Sequence, residues 1–158
     1  MIPSLVLVFL VVFPSALPET ESCHVGWIQF QEKCYFFSHT TATWFDAGSA
    51  CSQFHSKLAE PRSDAEISFL RSHSQSQNKN MWIGVSDIIE EDRWVYSSTQ
   101  EVVPHNDFNP GEPGGHLSQN CVALWKDHHG KWADHGCSEK EYYICEEVMT
   151  SDPVNVIG

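Results

Sequence analysis

The sequence predicts an α+β domain, with two helices early in the chain and several short strands late in it. Apolar residues recur at the helical period after Thr43, and a second helix-start pattern begins at Ser63. From Met81 onward, short runs rich in Val, Ile, Trp and Tyr alternate with turn residues. Helices and strands segregated along the chain are typical of this class, and six cysteines indicate that disulfides stabilise it.

The first 16 residues have the pattern of a secretory signal peptide, with an approximate cleavage site after Ala16. Residues 5–13 form an apolar run that is too short to span a bilayer but has the length of a signal-peptide core. A buried strand is the alternative interpretation. No other segment is apolar enough to cross a membrane, so we expect a secreted, extracellular chain whose remaining residues, about 140, form one domain.

The cysteines fit an oxidising compartment. In a secreted chain, six cysteines indicate three disulfides, each of which stabilises a fold by roughly 2–4 kcal/mol. Zinc binding is the competing use of cysteine, but the sequence contains no Cys-x-x-Cys spacing. Among the many possible pairings, we expect Cys23–Cys34, Cys51–Cys145 and Cys121–Cys137.

The excess of acidic over basic residues limits the kinds of partner that this chain can bind. The chain has 21 acidic and 9 basic residues, a formal net charge of -12. Nucleic acid is excluded as a partner because its phosphates would be repelled. Divalent cations, basic partners and mineral surfaces all remain compatible with this charge.

The N-terminal half begins with a predicted hairpin and continues with a predicted helix. Residues 27–30 and 34–37 are aromatic and strand-like. Thr43 is a suitable helix N-cap, with Asp46 as an acidic residue in the first turn. The inward face of this helix would carry Trp44, Ala47, Cys51 and either Phe54 or Leu58, and the helix would end at residues 58–61.

A capping-box pattern from Ser63 to Glu66 opens the second predicted helix, with Ile67, Phe69 and Leu70 facing inward. Residues 72–80 are polar and rich in turn-forming residues, so we predict a loop there. The strands predicted in the C-terminal half cover residues 81–85, 93–96, 121–125, 131–132 and 141–145.

Residues 108–134 contain the segment in which we expect function to reside. Its first eight residues include two prolines and three glycines, which disfavour a helix or a central strand. A long loop without secondary structure in a compact domain is usually functional, and this one carries carboxylate and amide oxygens. The Cys121–Cys137 pair would clamp its base.

Five short motifs occur in order at plausible spacings: Trp82-Ile-Gly-Val85, Gly111-Glu-Pro113, Cys121-Val122, Trp132-x-Asp134 and Tyr143-Ile-Cys145-Glu146. Together they resemble the C-type lectin domain. The resemblance covers residues 23–146, and the extra N-terminal cysteine pair looks like the long form of that domain. It implies two helices, short antiparallel sheets, a long binding loop and three disulfides, and we expect a disordered tail over residues 147–158.

The resemblance also implies a binding site. In sugar-binding members, loop carboxylate and amide oxygens coordinate calcium, and vicinal sugar hydroxyls complete the coordination. Carried over to this chain, the carbohydrate and metal ligands are Glu112, Gln119 and Asp134, with Pro113 as the cis turn residue between ligands.

Two of the family's ligands are missing, because Gly114 and Ala133 stand where an amide or carboxylate side chain is usual. Calcium, the implied cofactor, takes roughly six to eight oxygens, so this site would bind it weakly unless other oxygens contribute. An auxiliary calcium site is implied by Asp87, Glu91 and Asn120, but Gly115 and Gln119 deplete that site as well.

Two functions remain open. The first is a secreted lectin that recognises mannose-type sugars on glycans or glycoconjugates, with calcium as the resemblance implies, in innate defence or as an agglutinin. The second is a calcium-independent lectin-like module that binds a protein or a mineral surface. An enzyme is not expected, because no motif of a hydrolase, metalloprotease or phosphate-binding loop occurs.

Two further groups of residues have alternative interpretations. We expect Trp82, Trp94, Trp125 and Trp132 to pack in the core with bonded indole N–H groups, although Trp125 or Trp132 could stack on a sugar. Five histidines in or beside the loop are either solvent-exposed or a transition-metal or pH-sensitive site, namely His105, His116, His128, His129 and His135.

Overall fold

The computed structural model describes residues 22–149, except for the side chain of His116. The expected signal peptide and residues 150–158 of the expected tail lie outside the described residues. Within them, the fold is the predicted α+β class, with two α-helices on a mixed sheet. The helices are α1 (Trp44–Ser52) and α2 (Asp64–Gln77), and the strands are β1 (Ile28–Phe30), β2 (Lys33–Phe37), β3 (Lys57–Leu58), β4 (Met81–Ser86), β5 (Val95–Tyr96), β6 (Cys121–Trp125), β7 (Lys131–His135) and β8 (Tyr142–Val148).

The sheet brings the two ends of the domain together. Its order is β1-β2-β8-β4-β6-β7, with β3 paired to β8 and β5 paired to β4. Strand β8 pairs antiparallel with β2 and parallel with β4. Because β6 and β7 form an antiparallel hairpin at one edge, they support the long loop that precedes β6.

The first helix begins at its predicted cap and ends earlier than predicted. Thr43 Oγ1 accepts a hydrogen bond from the amide of Asp46. After Ser52 the chain turns, because His55 adopts a positive φ and both the amide and hydroxyl of Ser56 donate to the carbonyl of Cys51. The prediction that the helix continues to Leu58 was therefore wrong, and that residue lies in β3 opposite Cys145.

The second helix also begins as predicted, with Ser63 as its N-cap, but the predicted loop over residues 72–80 was largely wrong. The helix continues to Gln77 because two polar side chains in this stretch pack inward. Ser74 is buried and donates its hydroxyl to the carbonyl of Lys79, and the ring of His73 lies 4.4 Å from that of Phe69.

Strand boundaries differ from the predictions near the site and at the C-terminus. The strand predicted at residues 93–96 is confined to Val95–Tyr96, whereas the one predicted at 131–132 extends to His135. Strand β8 continues to Val148, two residues beyond the expected domain end, because it remains paired with β2 up to Lys33.

All three predicted disulfides are formed. The Cα–Cα distances are 5.5 Å for Cys23–Cys34, 5.4 Å for Cys51–Cys145 and 5.2 Å for Cys121–Cys137. The second joins α1 to β8 and the third closes the segment between β6 and the turn after β7. The site is therefore built on a cross-linked hairpin.

Two tryptophans form the centre of the core. Trp82 and Trp132 are fully buried, whereas Trp94 and Trp125 are only partly buried. The indole N–H of Trp82 donates to the carbonyl of Ala42 at 3.0 Å, as expected. The expectation of a bonded indole was wrong for Trp132, whose buried Nε1 has no partner, and its burial excludes sugar stacking.

Three buried carboxylates lie between β8, β3 and the start of α2: Glu60, Glu66 and Glu146. Burial opposes ionisation of Glu60, but hydrogen bonds from Lys57 and Ser98 outweigh it and lower the pKa of this carboxyl. Burial raises the pKa of Glu146, which accepts a hydrogen bond from the amide of Glu60. This network fixes β3 to the sheet away from the candidate site.

Candidate functional site

The loop before β6 is attached to β7 at its base. The amide of Asn109 donates to the carbonyl of Trp132 at 2.9 Å, and the amide of Trp132 donates to the carbonyl of Asp107 at 2.9 Å. The ring of Phe108 packs between Trp94 and Trp132, with centroids 5.2 and 5.6 Å away. These contacts hold the beginning of the loop beside the strand that carries Asp134.

A residue that the sequence analysis missed anchors the loop from the other side. The carboxylate of Asp107 forms ion pairs with Arg71 of α2 (Nη1–Oδ2, 3.1 Å) and Lys131 of β7 (Nζ–Oδ1, 3.6 Å). The Arg71 side chain also donates to the carbonyl of His129. Nothing in the local sequence indicates these ion pairs, because Asp107, Arg71 and Lys131 come from three separate segments of the chain.

The loop folds over Asp134, which is buried near the end of β7. Its Oδ1 accepts a hydrogen bond from the amide of Gly114 at 2.9 Å, and its Oδ2 accepts one from the amide of Gly115 at 2.7 Å. Hydrogen bonds from backbone N–H groups to a carboxylate are charge-assisted and therefore strong. The two glycines, which the resemblance marked only as missing ligands, thus bind Asp134 through their backbone.

Glu112 is the second carboxyl group of the site. The Glu112–Pro113 peptide bond is cis, as the resemblance implied. Burial, then a hydrogen bond shared with the Asp134 carboxyl, then the negative charge of Asp134 raise the pKa of Glu112 to about 7. Near neutral pH, Glu112 therefore exchanges between an ionised form and a protonated form that can donate to Asp134.

Gln119 lies against the same part of the loop. A Cβ atom placed on Gly115 would lie 1.7 Å from Gln119 Oε1 and 2.2 Å from Gln119 Cβ. The Gln119 side chain therefore fills the space that a side chain at position 115 would need. Of the three residues to which the resemblance assigned sugar binding, Glu112 and Asp134 lie side by side, and Gln119 packs on Gly115, whose amide binds Asp134.

These residues do not fit the primary calcium site that the resemblance implies. Both oxygens of Asp134 already accept amide hydrogens from Gly114 and Gly115. Gly114 and Ala133 supply no side-chain oxygen, while calcium takes roughly six to eight oxygen ligands. Among the described residues 22–149, no group of three or more His, Cys, Asp or Glu side chains is placed to hold a metal.

The auxiliary position fits a cation better than the primary one. Asp87 is buried at the end of β4, and its amide donates to the carbonyl of Asn120 at 3.2 Å. Asp87 Oδ1 and Asn120 Oδ1 are both buried without a hydrogen-bond partner, and burial raises the pKa of Asp87. Unpartnered oxygens are donors that a hard cation takes, but Gly115 supplies no side-chain oxygen and Glu91 is half-buried in the following turn.

The loop histidines do not converge within the described residues. His105 lies 3.3 Å from Asp64, at the start of α2, whereas His135 lies 3.8 Å from Glu141. The rings of His128 and His135 both contact Trp125, at 6.5 and 4.8 Å. The transition-metal hypothesis therefore gains no support, and the ring that could have stacked on a sugar is covered in part by imidazole.

The comparisons with known proteins agree with this geometry. The Lectin C-type domain family matches residues 40–147, and the chain belongs to that family. It is 33% identical over 132 residues to the low affinity immunoglobulin epsilon Fc receptor of Mus musculus, covering 82% of this chain and 38% of the receptor. The chain spans 38% of the length of that receptor and 50% of that of a CD209 antigen-like protein of Macaca mulatta, to which it is 31% identical.

Solved structures show the same fold. The carbohydrate-recognition domain of the mouse scavenger receptor C-type lectin has a TM-score of 0.76 and 27% identity, covering 83% of this chain and all of that domain. The cow CD23 domain, solved in the presence of a GlcNAc2Man3 oligosaccharide, has a TM-score of 0.75 and 28% identity, covering 84% and 100%. Membership of the Lectin C-type domain family supports the expectation that this chain is not an enzyme. No helix among the described residues has the length and apolar character to cross a membrane.

Proposed function

We propose that the chain is a secreted carbohydrate-recognition protein that binds sugars at Glu112, Gln119 and the loop over Asp134, without a calcium ion bridging protein and sugar. The observation that carries this proposal is the state of Asp134, whose two oxygens accept the amides of Gly114 and Gly115. A carboxylate held in this way fixes the loop, and although each oxygen keeps a second lone pair, Gly114 and Ala133 add no side-chain oxygen to complete a calcium site.

The chemistry of recognition would be direct hydrogen bonding. Sugar hydroxyls both donate and accept, and a carboxyl beside an amide side chain offers both roles to them. Glu112 and Gln119 are only partly buried, so each can present polar atoms to a ligand. Mannose-type sugars are the first candidates, since the pair Glu112 and Pro113 matches the mannose-type pattern of the family, and the cow relative was solved in the presence of a mannose-containing oligosaccharide.

The proposal extends to the biological setting. We propose that the protein is secreted through its signal-peptide-like leader and acts on glycans or glycoconjugates in innate defence or as an agglutinin. The leader is part of the sequence but lies outside the described residues.

A glycan array run with calcium and again with a chelator tests this proposal. We expect the same mannose-type signal in both conditions, loss of that signal in Glu112→Ala, and retention in Glu32→Ala, a control in which an exposed carboxylate far from the loop is removed. A signal that the chelator abolishes would refute calcium independence. An array that stays blank in both conditions would refute sugar binding.

The second candidate is a lectin-like module that binds a protein or a mineral surface without calcium. It is favoured by the missing oxygens at Gly114 and Ala133 together with the net charge of -12. In that case Glu112→Ala should leave partner binding intact, and a lost interaction would count against this candidate.

A further inference from the structure

A group of exposed apolar side chains lies beside the base of the loop. Phe45 on α1, Ile88 and Ile89 in the turn after β4, and Leu117 in the loop are each between 40% and 81% exposed. We call these four residues the apolar patch. Single exposed apolar residues are ordinary, but an exposed group of them from three chain segments indicates an interaction surface.

Three members of the apolar patch border one open cleft of about 340 Å³. The cleft is completed by residues from the disulfide-closed turn and the end of the loop, namely Ser118, Asn120, Gly136, Cys137 and Ser138. Phe45 also borders a second cleft of about 400 Å³, which runs along α1 past Gly48 and Ser52. Phe45 therefore borders both clefts, of which the second is also lined by Lys57.

The local charges select the chemistry of the occupant. None of the residues that line the first cleft is charged. Exposed carboxylates lie on the same segments, at Asp46, Glu90 and Glu139. Glu90 lies 3.6 Å from Arg93, so these two charges offset each other, and Asp46 and Glu139 are the carboxylates that a basic partner would face.

The net charge of -12 favours a basic occupant over a second copy of the chain or an anionic bilayer, both of which carry charge of the same sign. A partner that is apolar on one side and basic around it would match both the patch and its acidic surroundings.

We propose that the apolar patch is a docking site for a cationic amphipathic peptide segment, whose apolar side chains enter the cleft between Phe45, Ile88 and Leu117 and whose Lys or Arg residues face the surrounding carboxylates. This surface is separate from the Glu112–Asp134 pair. Binding there does not depend on the sugar-binding proposal.

The probe is a fluorescein-labelled amphipathic peptide of leucine and lysine, titrated with the whole protein and followed by fluorescence anisotropy. The patch variant combines Ile89→Ser with Leu117→Ser, and the matched control combines Val102→Ser with Val148→Ser, two exposed valines elsewhere on the surface. Each apolar side chain that binding removes from water contributes to affinity, so we expect the Kd of the patch variant to rise about tenfold or more and that of the control to stay near wild type.

The remaining arms decide between the proposal and its rivals. A peptide with glutamate in place of lysine should not bind, Glu112→Ala should bind as wild type does, and the melting temperatures of both serine variants should match wild type. Equal affinity of the patch variant and wild type would overturn the proposal, as would equal losses in patch and control variants. Sedimentation velocity tests whether a second copy of the chain occupies the patch instead. If the wild type formed a dimer that the peptide did not dissociate, and the patch variant formed none, the surface would belong to a second copy and the proposal would be overturned.

Discussion

Replacing Gly115 by alanine should damage the site, whereas the same change at the neighbouring Gly114 should not. A Cβ at position 115 would lie 1.7 to 2.2 Å from three atoms of the Gln119 side chain, including its Cβ, so rotation of that side chain cannot relieve the overlap. A Cβ at position 114 would be 3.3 Å from the carbonyl oxygen of Gly111 and 3.7 Å from Glu112 Oε2. That is a tight but nearly ordinary contact.

The expected magnitude follows from this geometry. Overpacking typically costs 1–3 kcal/mol, and moving Gly115 also weakens its 2.7 Å hydrogen bond to Asp134. We therefore expect Gly115→Ala to lower the free energy of unfolding by about 2 kcal/mol, or roughly 6 °C in melting temperature for a domain of this size. For Gly114→Ala the reduced entropy of the unfolded chain offsets the close contact, so the change should stay within about 0.5 kcal/mol of zero.

Urea denaturation followed by tryptophan fluorescence measures these differences, and a double variant provides the decisive control. All three nearest atoms belong to the Gln119 side chain, so Gly115→Ala combined with Gln119→Gly removes the overlap and should recover most of the lost stability, less the cost of a loop glycine. Equal effects at positions 114 and 115, or no recovery in the double variant, would refute the proposed packing of Gln119 on the loop.

Three further predictions concern charged groups. The folded pKa of Glu112, about 7, lies above its ordinary value of 4.5, so the stability that its proton contributes is complete below pH 4.5 and is lost as the pH rises through 7. The Glu112→Gln variant keeps a hydrogen-bond donor to Asp134 at every pH. Its melting temperature should therefore exceed that of wild type at pH 8 and differ little from it at pH 4. Calcium should raise the melting temperature of the wild type only slightly, through the auxiliary site at Asp87. The Asp87→Asn variant should lose that rise, and the Glu112→Gln variant should keep it. If Glu112→Gln lost the rise and Asp87→Asn kept it, the cation would bind at the primary site. Folding lowers the pKa of Glu60, so its ionised carboxylate stabilises the fold above its ordinary pKa of 4.5, and this stabilisation is lost as the pH falls. Urea denaturation should therefore show that Glu60→Gln lowers the free energy of unfolding by about 3 kcal/mol at pH 7 and by much less near pH 3.

Local signals in the sequence predicted the local features of the fold. Side-chain caps at Thr43 and Ser63 mark where both helices begin, because the cap and its amide partner lie three residues apart. The runs of apolar residues at β4 and β6 are buried on every side or nearly so, which is why their residue types alone indicate strands. Helix ends were harder, because His73 and Ser74 are polar yet pack inward.

The site depended on contacts between distant segments, which the sequence could not show. The three carboxylate and amide side chains were identified only because the motifs around them resemble a known family. Asp107, which anchors the loop to α2 and β7, has no such motif and was missed. The bonds from Gly114 and Gly115 to Asp134 were missed for a different reason, since a glycine has no side chain from which a contact could be inferred.

The substitutions at positions 114 and 115 change the electrostatics of the site in one consistent direction. A side chain at 115 would displace Gln119, whereas one at 114 would make only a tight contact with the carbonyl of Gly111, so glycine at 115 is what lets the backbone lie this close to Asp134 without rearrangement. The missing side-chain oxygen at 114 is accompanied by hydrogen bonds from two backbone N–H groups to the Asp134 carboxylate. Those donors supply partial positive charge where the family's sugar-binding members use a cation, which is a physical reason to expect the loop to keep its shape in a chelator.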